Sequence, residues 1–161
     1  MKIRKLTLEE LGKIFLIQSK CYSKNFIESI ETFKRLIEIY PEGCIGAEID
    51  DIPVGYIFTH PWIRSSVVKL NGKELNLPKE PDCMCIHDMA VDPKFRGRGI
   101  GKTLFGETLE LCKRASYSTI TLVSVQNSQT FWEKLGFKKV AEIVYGKERA
   151  FLMEFVMYGC R

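Results

Sequence analysis

The chain of 161 residues has no apolar run near the ~20 residues that a membrane span needs. Its basic start, Lys2, Arg4 and Lys5, is not followed by the apolar stretch of a signal peptide, because Glu9, Glu10 and Lys13 interrupt it. These two absences predict a cytoplasmic protein with no membrane partner. Repeats, low-complexity tracts and long linkers are also missing, which predicts one α/β domain over 1–161. Six cysteines without an export signal read as reduced thiols rather than a disulfide framework. Cys83-x-Cys85-x-His87 lacks the C-x₂₋₄-C spacing and the fourth ligand of a structural zinc site, so no metal is expected. The formal charge of +4 is mild, and no basic stripe with interleaved aromatics is present, which argues against a nucleic-acid partner.

What is present alternates between strand and helix signals. Ile3 to Leu6 reads as a first strand, and Thr7-x-x-Glu10 is a capping box opening a helix that buries Leu8, Leu11, Ile14 and Phe15. A second helix is expected to carry Phe26, Ile30, Phe33 and Ile37, and Pro41 stops it. Cys44 to Ile49 and Val54 to Thr59 form a hairpin about a polar turn. The stretch from Pro61 to Asp82 is long for a connection and reads equally as a cover for an acceptor site or a surface excursion. Cys83 to Val91 is a central strand, and the apolar positions from Ile100 to Ala115 follow the helical period. Thr119 to Val123, Phe137 to Ile143 and Phe151 to Met157 are further strands, with a short helix after Asn127.

The most informative run is Val91-Asp92-Pro93-Lys94-Phe95-Arg96-Gly97-Arg98-Gly99-Ile100-Gly101-Lys102. An extended segment, a turn, a glycine-rich arch and a helix start follow one another, which brings backbone N–H groups and the positive end of a helix toward an anion. A Walker loop fails because its first glycine falls at Arg96, and a G-x-G-x-x-G fingerprint fails at its third glycine. Arg96-x-x-Gly99-x-Gly101 fits the [QR]-x-x-G-x-[GA] pattern of the GNAT superfamily of acyl-CoA-dependent N-acyltransferases. Asn127 to Phe137 is similar to that superfamily's second motif, so the resemblance is strong over 83–141. Upstream, Tyr40-Pro41-Glu42-Gly43-Cys44, His60-Pro61-Trp62 and Ile86 to Val91 resemble a bacterial branch similar to arylalkylamine N-acetyltransferases.

The resemblance implies a mixed central sheet flanked by helices, with a splayed strand pair receiving the pantetheine arm of acetyl-CoA. It implies direct acetyl transfer to a primary amine, either a small molecule or an aminoacyl compound, and it admits a homodimer. Backbone groups of Met89, Ala90 and Val91 would hold the arm, and the Met89 N–H would stabilise the oxyanion. The segment Arg96, Gly97, Arg98, Gly99, Ile100, Gly101 and Lys102 would bind pyrophosphate, with Asn127 hydrogen-bonding the coenzyme.

On the central strand, alternation groups Cys83, Cys85, His87 and Met89 on one face and Met84, Ile86 and Asp88 on the other, unless a bulge intervenes. An ammonium has no lone pair, so a base must remove its proton. The imidazole of His87 is matched to that task near neutral pH, and packing is its alternative role. Alternation turns Asp88 away as a structural carboxylate. The tyrosine that often protonates the leaving thiolate is replaced by Trp132, a pocket wall or a core residue. Tyr145 or a water is left to supply that proton. Without such an acid the chain also fits a noncatalytic acyl-CoA-binding module.

Overall fold

A computed structural model describes residues 1–72 and 74–159. Seven strands form one mixed sheet in the order β1-β2-β3-β4-β5-β7-β6. They are β1 (Lys2–Lys5), β2 (Cys44–Ile49), β3 (Ile52–Trp62), β4 (Cys83–Val91), β5 (Thr119–Ser124), β6 (Lys138–Tyr145) and β7 (Glu148–Val156). Only β4 and β5 run parallel; the other neighbours are antiparallel. Asp50 and Asp51, at φ 50° and 61°, make the tight turn between β2 and β3.

Helices cover both faces, as the sequence predicts. On one face α1 (Leu11–Cys21) and α2 (Ile30–Ile39) bury Ile14, Ile17, Phe33 and Leu36 against Tyr56, Phe58 and Ala90. On the other, α3 (Ile100–Ala115) and α4 (Gln129–Lys134) bury Leu104, Phe105, Leu111 and Trp132 against Ile57, Met84, Ile86 and Ile120. Phe26 is not part of α2. Ser29 caps that helix by accepting from the Thr32 N–H, and Phe26 packs from a separate 3-10 turn, Lys24–Phe26. Three residues, Ile27 to Ser29, therefore link the turn to the helix, and they carry Glu28 into the interior.

Two departures from regular pairing shape β4. Phe58 pairs with Asp88 but Thr59 pairs with Ile86, so His87 is the extra residue of a β-bulge. The bulge reverses the side-chain phase predicted by alternation. Met84 and Ile86 pack with the α3 core, yet beyond the bulge Met89 and Val91 take that side, while Ala90 joins the α1–α2 core. Pairing of β4 with β5 ends at Ile86 and Leu122, although β4 continues to Val91 and β5 to Ser124. The two strands splay from that point.

The long connection between β3 and β4 is tied down at several places. Arg64 binds Glu154 through two hydrogen bonds of 3.0 and 2.7 Å, and Arg35 on α2 donates to Leu75 O and Asn76 Oδ1. Tyr145 Oη donates to Val68 O at 2.7 Å, and the Asn71 N–H donates to Glu28 Oε2 at 2.6 Å. The segment is a strap held across one end of the sheet. Among the described residues, no helix is long and apolar enough to cross a membrane.

Candidate active site

The splay opens a cavity of about 600 Å³ that runs from the glycine-rich arch to the strap. Its outer end is made by backbone. Gly99 caps α3 at φ 77°, in the left-handed region that only glycine enters without strain, and the first helical hydrogen bond is made by Thr103 N. The N–H groups of Ile100, Gly101 and Lys102 precede that bond and form the positive start of a 16-residue helix with no acidic residue in its first turn. A Cβ on Gly101 would lie 3.1 Å from Phe131 Cζ, so glycine there also lets α3 approach α4.

Arg96, Gly97, Gly99, Ile100, Gly101 and Lys102 line this end of the cavity. Arg98 does not; its guanidinium sits 5.1 Å from the Phe95 ring centroid. Asn127 is likewise outside the lining, exposed in a left-handed turn at φ 59°. Its neighbours Gln126 and Ser128 face the cavity instead. Gln126 fastens this turn to the end of α1, accepting from Ser23 N at 2.8 Å and donating to Cys21 O at 2.9 Å.

Met89, Ala90 and Val91 line the middle, where β4 has no strand partner on the β5 side. Tyr22 Oη donates to Met89 O at 2.7 Å, and Arg96 Nε donates to Val91 O at 3.3 Å. Trp132 satisfies both of its expected descriptions. It is 7% exposed in the α3–α4 core and also lines the cavity.

The inner end is a buried cluster of titratable groups. His87 Nδ1 lies 3.2 Å from His60 Nε2, and His87 Nε2 lies 3.0 Å from Glu28 Oε1. The ring of His60 meets Pro61 O through Nδ1 at 2.9 Å. Burial, reinforced by His87, pushes the His60 pKa down to about 3. Gln18, fully buried, holds Glu28 by both ends of its amide, donating to Glu28 O and accepting from Glu28 N.

Asp88 shares this end, contrary to simple alternation, because the bulge at His87 reverses the phase. Tyr56 Oη donates to Asp88 Oδ2 at 2.8 Å. Burial lifts the Asp88 pKa to about 6, partly offset by that hydrogen bond. Tyr145 also lines the cavity, with its hydroxyl proton committed to Val68 O. Burial pushes its phenol well up, which makes it a weaker acid. Cys85 is held as a neutral thiol, its pKa raised by burial to about 12.

Of the residues expected from sequence, Arg96, Gly97, Gly99, Ile100, Gly101, Lys102, His87 and Tyr145 line the cavity, whereas Glu28, Gln18, Asn71 and Tyr22 were not among those expected. No motif marks them. A carboxylate directly after two large apolar residues, Phe26-Ile27-Glu28, is the one local signal for Glu28.

The acetyltransferase (GNAT) family model matches residues 11–137. The chain belongs to that family. An uncharacterized N-acetyltransferase of Methanocaldococcus jannaschii is 33% identical over 118 residues, covering 71% of this chain and 46% of that relative. The chain thus spans about half of that relative's length. Among solved structures, the loading GNATL domain of CurA from Lyngbya majuscula superposes with a TM-score of 0.84 at 15% identity, over 96% of both chains. Ard1 from Thermoplasma volcanium gives 0.80 at 19% identity over 97% of both. These structures share the fold, and none of the three matches singles out the arylalkylamine branch.

Proposed function

We propose that the protein transfers an acetyl group from acetyl-CoA to the nitrogen of a primary amine by direct attack on the thioester. One observation carries the reading: a single cavity joins an anion cradle, an unpaired strand edge and a buried cluster of titratable groups. The N–H groups at the start of α3, with Arg96 and Lys102, would hold the pyrophosphate. The backbone of Met89, Ala90 and Val91 would take the pantetheine arm, placing the thioester beside Asp88 and His87, where the Met89 N–H polarises its carbonyl.

The neutral thiol of Cys85 speaks against an acyl-cysteine, since the thiolate is the nucleophile. With the Tyr145 proton held by Val68 O, the leaving thiolate takes its proton from the newly bonded nitrogen. Tyr145 then serves as an anchor for the strap. The acceptor is a small or aminoacyl amine entering beside Phe26, Val67, Val68 and Leu70.

Thiol release from acetyl-CoA, followed across a panel of amines and aminoacyl compounds, tests the proposal. Turnover with at least one amine is expected. Tight acetyl-CoA binding with no turnover would instead favour the noncatalytic module, which the tryptophan at position 132 permits.

A further inference from the structure

The chain has only two histidines, and both lie at the inner end. Their protons can be counted. Pro61 O is an acceptor only, so His60 Nδ1 carries a hydrogen. Buried and neutral, His60 presents a lone pair at Nε2, so His87 Nδ1 must donate to it. Across the remaining 3.0 Å between His87 Nε2 and Glu28 Oε1, two lone pairs would repel, in a pair whose side chains are 1% and 3% exposed. One proton sits there. Glu28 Oε2 is occupied by the Asn71 N–H. The row Pro61, His60, His87, Glu28 is therefore filled, and neither ring nitrogen of His87 is open to an incoming proton, since Nδ1 carries a hydrogen and Nε2 is engaged by Glu28.

One carboxylate at this end stands outside that row. The bulge turns Asp88 into the cavity beside Glu28 and His87. Groups from every surrounding element face it: Tyr56 from β3, Tyr22 and Cys21 from the end of α1, Glu28 from the segment before α2, Tyr145 from the end of β6 and His87 from its own strand. Resting on the acetyl-transfer reading, we propose that Asp88 takes the proton of the acceptor ammonium, and that His60, His87 and Glu28 form a positioning brace that keeps the bulge in shape.

In this step one N–H proton passes from the ammonium to an Asp88 oxygen, freeing the nitrogen lone pair. That pair forms the bond to the acetyl carbon, the C–S bond breaks, and its electrons leave on sulfur. A second nitrogen proton then neutralises the thiolate, and Asp88 returns its own proton to solvent. Ammonium and thioester become amide, thiol and one released proton. A carboxyl titrating near 6 is ionised at neutral pH and available for the transfer.

The test pairs kinetics with spectroscopy. With an acceptor from the amine panel, Asp88→Asn is expected to lower kcat/KM by ~10²–10⁴-fold and to abolish the limb rising through pH 6, while circular dichroism stays native. Asp88→Glu restores part of the rate. His87→Gln keeps that limb at a reduced rate. Loss of the limb in His87→Gln together with its survival in Asp88→Asn would overturn the assignment and leave acetyl transfer standing. Absence of turnover with every amine would remove the catalytic role of Asp88 along with acetyl transfer. Independently of turnover, ¹⁵N-histidine spectra at neutral pH should show a hydrogen on Nδ1 of both rings and a bare Nε2 on at least one of them. A ring with a bare Nδ1 contradicts the filled row.

Discussion

Twelve consecutive residues, Val91 to Lys102, build the outer end of the cavity, whereas the inner end gathers side chains from Gln18, Glu28, His60, His87 and Tyr145 and the backbone N–H of Asn71. The outer end works through backbone N–H groups and asks little of its neighbours beyond close approach by Phe131 and Met89 at Gly101. The inner end works through buried side chains whose partners lie 27 to 77 positions apart for the His60–His87, Asn71–Glu28, His87–Glu28 and Tyr145–Val68 contacts. An exposed cradle is tuned by local conformation. A buried cluster depends on the whole fold being in place, so changes there should reach stability as well as chemistry.

The largest expected effect is on the brace. Glu28→Ala leaves the Nε2 edge of His87 without its partner in the interior and also releases the Asn71 N–H, and breaking a buried pair in this way typically costs about 3–5 kcal/mol. Chemical denaturation should show that loss, and limited proteolysis should open the strap between 63 and 82. A change below 1 kcal/mol would mean that the two ends are less different than their contacts imply.

Asp88→Asn should act in the opposite direction on stability. Its carboxyl is raised in the folded chain, so the folded state binds more protons than the unfolded state between about pH 4 and 6, and stability falls as pH rises through that window. Removing the charge should then stabilise the chain at pH 7 by about 1–3 kcal/mol, with the difference shrinking toward pH 4. Denaturation curves at the two pH values would check the sign. A less stable variant at pH 7 would show that the ionised form is better solvated than its burial implies.

The smallest effect concerns the strap. Tyr145→Phe removes one hydrogen bond to Val68 O and should cost about 1 kcal/mol, with faster cleavage in the strap but little change in acetyl-CoA affinity. A large loss of coenzyme affinity would return Tyr145 to the chemistry.

This contrast also explains what could be read from the chain. The arch from Arg96 to Lys102 was legible because spacing and conformation are local, and Cys83 to Val91 was legible as a central strand from its apolar pattern. The phase of β4 was not legible, since the bulge at His87 depends on a mismatch with Phe58 and Thr59 on another strand. Phe26 was drawn into α2 by helical periodicity, which cannot register that Ser29 stops the helix from starting earlier. Asn127 came from the motif resemblance while Gln126 and Ser128 line the cavity, because a motif says nothing about which side of a left-handed turn faces it.

The central claim is that the cradle holds the coenzyme while the inner end handles the amine and its proton. Calorimetric titration of acetyl-CoA into the native chain, Gly99→Asp and Asp88→Asn tests it most directly. Gly99→Asp places a charged side chain in a left-handed backbone position where phosphate must approach, and the affinity should fall about 100-fold, or ~2.7 kcal/mol. Asp88→Asn should bind within about threefold of the native chain. Equal weakening in both variants, or native affinity in a folded Gly99→Asp, would contradict the division between the two ends.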